Sequence, residues 1–279
     1  PTTQRNPQRV AVVGDLAYVL NAGVVKLGKG GPATVVEGGG IDVLHLAGAT
    51  PPRKVLRNIA LPRSSADERI GAYGSIAVDP DGKTAFIGSG TRGDVFVVNL
   101  ETGALVHGPE APLALFPTPA DRNDLTTVRW IGDELAVLSF AQDTLCLSGD
   151  IAGGLAKRRC YPVGVDGQQI EGPIDVALGD DGRLLVAMSL ANRLYRVSLL
   201  DTTGGASAPQ AKVDPSFADA GSRDPLAPNR VLRHGAHAYL LASTSEQLLR
   251  VSLPGGKTEP TFALFPPGSN PFDVAITAA

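Results

Sequence analysis

The hydrophobic pattern between residues 74 and 106 sets the reading of the whole chain. Ile76, Ala77 and Val78 form a short apolar run. Asp79-Pro80-Asp81-Gly82 follows as a turn, since Pro fixes φ and Gly supplies φ > 0. A second run covers 84–87 and a third 95–98, and Glu101-Thr102-Gly103 turns the chain into a fourth. This is a four-stranded cassette, and its recurrence along the chain is the strongest signal in the sequence. Helical periodicity is not evident anywhere.

In chain order, residues 10–13, the turn Gly14-Asp15 and residues 16–20 open the first cassette. Residues 24–40 interrupt it and read as an inserted extended hairpin or mobile loop; 41–46 and 54–61 close it. The third cassette uses 128–131, 135–138, 144–147 and 159–162. The fourth starts at Gly172, turns at Gly179-Asp180-Asp181-Gly182, runs 184–188 and 194–199, and loosens into a Gly/Ser/Pro linker over 203–209. The fifth starts at Pro228, turns at His234-Gly235, runs 238–242 and 248–253, and ends over 261–265. Anchored on the second run of each, Tyr18, Phe86, Val137, Val186 and Tyr239 are spaced by 68, 51, 49 and 53 residues. Propeller blades repeat every ~40–50 residues with insertions in their loops, and the insert at 24–40 accounts for the long first spacing. A β-sandwich also has short strands and many turns, but it does not repeat a four-strand cassette at this period. The expected fold class is therefore all-β: a β-propeller of four-stranded antiparallel blades in one domain over 1–279. Its blades fall near 8–62, 73–107, 124–163, 172–217 and 228–266, with a partial one at 269–279.

Three stretches carry a family resemblance: Gly74-Ser75-Ile76-Ala77-Val78-Asp79-Pro80-Asp81-Gly82-Lys83, Pro173-Ile174-Asp175-Val176-Ala177-Leu178 and Pro271-Phe272-Asp273-Val274-Ala275-Ile276. The chain resembles the YVTN-type, lactonase-like seven-bladed propeller family. The second-strand signature behind that family's name stands here once, as Ala17-Tyr18-Val19-Leu20-Asn21. The resemblance implies a propeller of the kind often joined to redox or cytochrome domains. Related six-bladed hydrolase propellers hold a metal in the central channel, but their acidic ligand set is not recognisable here.

A propeller ties its last blade to its first or leaves an open sheet edge. Residues 270–277 read as the innermost strand of a sixth blade, while 10–13 already give the first blade its own. The expectation is that another protein segment, from a longer or cleaved polypeptide, completes the ring. The alternative is that 270–277 complete the first blade in a shifted register. Composition agrees with this picture. The net charge of −3 with mixed signs offers no electrostatic footprint for nucleic acid. No run approaches the ~18 apolar residues of a membrane span. The one Met is internal, so the chain is expected to begin after processing or to belong to something longer.

Cys146 and Cys160 are equidistant from residue 153, where Gly153-Gly154 is the expected turn. Residues equidistant from a hairpin turn lie opposite each other within disulfide reach. A disulfide there places the chain in an oxidising compartment, periplasmic or secreted; the alternative is two free thiols in a cytosolic protein.

Innermost strands begin at the mouth of a propeller's channel. Arg9, Ser75, Thr126, Asp175, Arg230 and Asp273 are expected there, with Asn229 and Asn270 beside them. They read as a polar funnel for a small-molecule ligand, with Arg9, Asp175, Asn229, Arg230 and Asp273 as its binding residues, or for Ca²⁺ through Asp175 and Asp273. The plainer reading is that these two aspartates cap local backbone amides. His234 and His237 flank a two-residue gap but sit in a turn with no third ligand nearby in sequence, so a solvated turn is the better account. His45 and His107 are isolated. Gly28-Lys29-Gly30-Gly31 lacks the spacing and helix of a phosphate loop. No Gly-x-Ser-x-Gly elbow and no haem-attachment Cys pair occurs. Asp79–Gly82 and its counterpart at 179–182 are explained by turn chemistry. Lys157, Arg158 and Arg159 read as a solvated strand edge, or as a patch for an acidic partner. Trp130 reads as core. The expected function is an extracytoplasmic binding or scaffold module, part of a larger redox or cytochrome-associated protein. The alternative is a lactonase-like hydrolase with a channel metal.

Overall fold

The computed structural model describes residues 6–27, 33–37, 39–46, 55–61, 73–89, 94–108, 111, 113, 115–116, 126–149, 155, 157–165, 167, 169–200, 209–219, 227–259, 263–269 and 273. Alternating runs separated by turn residues give an all-β propeller of five four-stranded antiparallel blades, with no helix among the described residues. Blade 1 is Pro7–Val13, Leu16–Asn21, Gly40–His45 and Val55–Ala60. Blade 2 is Tyr73–Val78, Thr84–Ser89, Val95–Asn99 and Leu105–His107. Blade 3 is Thr126–Ile131, Glu134–Ser139, Thr144–Ser148 and Arg159–Pro162. Blade 4 is Pro173–Leu178, Leu184–Met188, Arg193–Leu200 and Gln210–Asp219. Blade 5 is Pro228–His234, His237–Ala242, Gln247–Ser252 and Lys257–Thr258.

The insert in blade 1 is a separate hairpin of Val24–Leu27 and Ala33–Glu37, as its sequence suggested. Two outer strands differ from expectation. Gln210–Asp219 is a ten-residue strand where the hydrophobic pattern showed no fourth run. Its register shifts between Leu194 and Arg196, and the bulge takes up Pro215, which cannot donate to the ladder. Arg196 holds this bulged strand by pairing with Asp214 at 3.1 Å and lying 4.5 Å over the Phe217 ring. In blade 5 the outer edge is split: Lys257–Thr258 pairs with one end of Gln247–Ser252 and Ala263–Leu264 with the other. The strand expected at 270–277 lies outside the described residues, Asp273 excepted.

The chain divides into two compact units, Pro1–Trp130 and Ile131–Ala279. In the first, the core is the layer between blades 1 and 2. Tyr18, Leu20, Ile41 and Val43 of blade 1 meet Ile76, Val78, Ile87, Phe96 and Val98 of blade 2. The Trp130 ring stands edge-on to Phe86 at 6.1 Å, in the packing role its sequence context suggested. In the second unit one layer joins blades 3 and 4, around Leu138, Tyr161, Val176 and Tyr195. Another joins blades 4 and 5, around Leu185, Phe217, Val231 and Leu240. Cys146 and Cys160 sit directly opposite on adjacent strands of blade 3 and form the disulfide expected from their spacing.

Blade 2 also has a backbone approach that only glycine permits. A Cβ on Gly88 would overlap the Thr126 carbonyl oxygen and the Ser75 hydroxyl. Gly88→Ala is expected to cost about 2–3 kcal/mol in urea denaturation. Gly149→Ala, where an added Cβ comes no closer than 3.9 Å to the Glu134 side chain, should change stability by no more than about 0.5 kcal/mol.

Candidate functional site

The innermost strands of blades 1, 2, 4 and 5 open on a bulge. The register shifts between Pro7 and Arg9, Tyr73 and Ser75, Pro173 and Asp175, and Pro228 and Arg230. A bulge re-aims the side chain that follows it. Counting from the first residue of these strands, the third position is Arg9, Ser75, Asp175 or Arg230. These are residues that the sequence placed at the channel mouth.

In the first unit, Ser75 works in both directions. Its hydroxyl donates to the Thr126 carbonyl at 3.0 Å and accepts the Val128 amide at 2.9 Å, tying blade 2 to the innermost strand of blade 3. Thr126 thus contributes its backbone, and Thr127 takes the second position in its strand, one residue before Val128. Arg9 is half-buried at the start of blade 1.

In the second unit, Asp175 is fully buried. Its Oδ2 accepts the Val231 amide at 2.8 Å, so the amide it caps belongs to the next blade and not to its own strand start. Its Oδ1 faces Arg230 Nη1 at 3.5 Å, and Arg230 Nε lies 2.9 Å from Asp273 Oδ1. The fold therefore brings Asp175, Arg230 and Asp273 together, with one guanidinium between two carboxylates. Asn229 is buried next to Arg230 in the chain, and Asn270 lies outside the described residues. The donor set does not suit a hard cation. Calcium needs six to eight oxygens, both aspartates are turned on Arg230, and no group of three or more His, Cys, Asp or Glu among the described residues could hold a metal.

The remaining candidates do local work. His234 and His237 pair across their turn, and His237 Nε2 lies 3.3 Å from Glu259, which also holds Arg250. His45 is exposed, and His107 Nδ1 is 3.3 Å from the Ala111 carbonyl. Arg159 Nη2 donates to both carboxylate oxygens of Glu134, at 2.8 and 2.9 Å, so one of the three basic residues is spent within its blade. Asp79 accepts the Lys83 and Thr84 amides, and Asp181 accepts the Arg183 amide, as turn chemistry requires. Gly28, Lys29, Gly30 and Gly31 lie outside the described residues.

Sequence reasoning missed a second polar cluster, between blades 3 and 4. Asp143 ends the second hairpin turn of blade 3 at φ 46°. Its carboxylate accepts the Glu171 amide at 3.1 Å and the Gly172 amide at 2.9 Å, pinning the connector into blade 4. Glu171, itself buried, accepts the Val165 amide at 2.8 Å and the Tyr195 hydroxyl at 2.9 Å. Burial, and then the bond to Glu171, push the Tyr195 phenol well above its ordinary pKa. Burial pushes the Asp143 carboxyl up as well; the two amides pull it back and the Glu171 charge raises it further. Beside this cluster is a cavity of about 330 Å³ lined by Gln142, Asp143, Pro162, Gly164, Gln169 and Ile170, among others. A repeat could have revealed the device. Asp143, Asn192 and Glu246 each precede the third strand of their blade, each at positive φ. Asn192 Oδ1 accepts the Ala227 amide at 3.0 Å, doing in blade 4 what Asp143 does in blade 3.

Asp175→Ala strands the Val231 amide and a buried guanidinium, and should cost about 3 kcal/mol or more in chemical denaturation. Asp175→Asn should cost less, because an amide oxygen still accepts from Val231. Asp143 behaves oppositely. The folded form holds its proton more tightly than the unfolded chain does, so ionising it costs stability. That cost is absent below the unfolded carboxyl pKa, grows as pH rises, and is complete above the folded pKa. Asp143→Asn, which copies Asn192, should raise the denaturation midpoint at pH 7 and flatten its fall between acid and neutral pH.

No family model and no curated protein matches the chain in sequence. Solved structures do match. Virginiamycin B lyase from Staphylococcus aureus aligns with a TM-score of 0.60 at 12% identity, over 95% of this chain and 72% of that one. A protein provisionally assigned as a 6-phosphogluconolactonase, from Bacteroides fragilis, aligns at 0.55 and 13%, over 94% and 70%. A chain of a nidogen–laminin complex aligns at 0.53 and 15%, over 89% and 75%. At these identities the likeness is one of fold, and the fold shared is the β-propeller.

Proposed function

We propose that the chain is an extracytoplasmic binding and scaffold propeller of the YVTN-type, lactonase-like class, acting as part of a larger assembly in which another protein segment completes the ring. The observation that carries the binding reading over the hydrolase one is Arg230 between Asp175 and Asp273. A channel metal would have to displace that guanidinium and break a stitch between blades. The Cys146–Cys160 disulfide supports the periplasm or the cell exterior, where such bonds persist. The chain spans 72% of the lyase's length in that alignment, which is in keeping with a propeller completed by a further segment. A neighbour found in a nidogen–laminin complex is in keeping with a scaffold role. The five blades are read as one domain, and the association with a redox or cytochrome partner rests on the family resemblance alone.

The reading is tested on protein purified from its natural source. Elemental analysis should find no stoichiometric calcium or transition metal, and EDTA should leave the thermal midpoint unchanged. Unfolded, unreduced protein should titrate no free thiol from Cys146 and Cys160. A chelator-sensitive melt would favour the hydrolase reading, and two free thiols would remove the argument for an oxidising compartment.

A further inference from the structure

The repeat shows how each blade meets the one before it. Positions four and six of the innermost strand, with the residues opposite them on the second and third strands, form the face turned to the preceding blade. In blade 2 that face is Ile76, Val78, Ala85, Ile87, Phe96 and Val98, all in the layer shared with blade 1. In blade 5, Val231, Ala238, Leu240, Leu249 and Val251 play the same part against blade 4. In blade 1 the same register gives Val10, Val12, Ala17, Val19, Asp42 and Leu44.

Burial separates blade 1 from the others. The residue at position four is 8% exposed in blade 2 (Ile76) and 0% in blades 4 and 5 (Val176 and Val231); in blade 3 Val128, matched to Val231 by the bond its amide makes to the preceding blade, is 2% exposed. Val10, its equivalent in blade 1, is 39% exposed; position six is exposed in blade 4 as well as blade 1 (Leu178 41%, Val12 57%), so position four carries the contrast. The run Val10-Ala11-Val12-Val13 is apolar on both faces, the composition of a strand covered on both sides and not of one with a solvated face. One face is accounted for, since Ala11 and Val13 pack on the layer with blade 2. The polar member of the other face makes no demand for water. Asp42 is fully buried and accepts amide hydrogens from Asn21 at 3.2 Å and Asn58 at 2.8 Å.

We propose that this face of blade 1 is the docking surface for a further four-stranded antiparallel blade, supplied by a polypeptide segment beyond these 279 residues. That blade presents bulky aliphatic and aromatic side chains, as blade 1 presents Tyr18, Leu20, Ile41 and Val43 to blade 2. The argument is one of continuity: position four lies in the shared layer in blades 2, 4 and 5, as Ile76, Val176 and Val231, and its apolar chemistry is retained in blade 1, where it is exposed. The inference rests on the ring-completion reading above and says where completion happens.

Val10→Cys, at an exposed position, reports the coverage directly. Maleimide should label it at least about tenfold more slowly in the intact natural polypeptide than in the 279-residue chain, as burial under a stable interface requires. Val10→Asp should lower the denaturation midpoint of the intact protein and leave that of the 279-residue chain unchanged. Equal labelling rates in the two would overturn the assignment. So would slow labelling in the 279-residue chain alone: if it persists on dilution the chain's own residues cover the face, and if it fades on dilution a second copy does. The intact mass separates the two readings. A natural product of 28.8 kDa with no co-purifying polypeptide removes ring completion and this surface together. A larger product that labels fast leaves ring completion standing and removes only this face.

Discussion

A four-stranded blade has two apolar faces and can bury neither by itself. The same strands that pack Tyr18 and Ile41 toward blade 2 carry Val19 and Leu44 on the opposite side. Stability therefore comes from layers between blades, and each of the three layers above draws its side chains from consecutive sheets. Apolar burial is non-directional. It holds two sheets together but does not fix the offset of one against the next. The hydrogen bonds from third-position side chains supply that offset. Ser75 takes the Val128 amide and Asp175 the Val231 amide, so blade 2 is registered against the innermost strand of blade 3, and blade 4 against blade 5, by a bond that tolerates only one alignment.

This explains why the sequence spoke clearly about strands and poorly about sites. Strands follow from alternation and turn chemistry, both local, and so does the pairing of Cys146 with Cys160 across one hairpin. Gln210–Asp219 was not legible as a strand because it follows the Gly/Ser/Pro linker at 203–209 and has no apolar run of its own, although the blade was expected to reach about 217. The strand is laddered to Arg193–Leu200, and Arg196 of that strand contacts Asp214 and Phe217 on either side of the bulge. Ser75 and Asp175 stand third in their innermost strands, and their partners lie 51 to 56 residues away, as with Ser75 and Thr126 or Asp175 and Val231. No reading of spacing finds such a partner. The Asp143, Asn192 and Glu246 device was hidden differently. Three residue types occupy one structural position, united by a left-handed backbone that sequence does not display.

In the second unit the polar residues at the starts of the innermost strands make hydrogen bonds and ion pairs within the fold. Asp175 illustrates why. Removing a carboxylate from water is costly unless its lone pairs are met, and here an amide and a guanidinium meet them. The Asp143 carboxylate beside the cavity is met in the same way, by the Glu171 and Gly172 amides.

The third position also shows where this device must give way to another. An arginine has no acceptor atom, so neither Arg9 nor Arg230 can take a following blade's amide as Ser75 and Asp175 do. Arg230 turns back to Asp175 and across to Asp273, converting a one-way chain of stitches into a three-residue junction. Between blades 1 and 2 the polar ties include Arg57 Nη1, which donates to the Glu101 carbonyl at 2.7 Å, and the Tyr18 hydroxyl, which donates to the Gly82 carbonyl at 3.5 Å. The first is exposed and the second long, so the apolar layer carries much of the contact between these two blades. Blade 1 thus depends on packing. The same dependence is visible on its far side, where Val10 and Val12 keep the chemistry of a packed face.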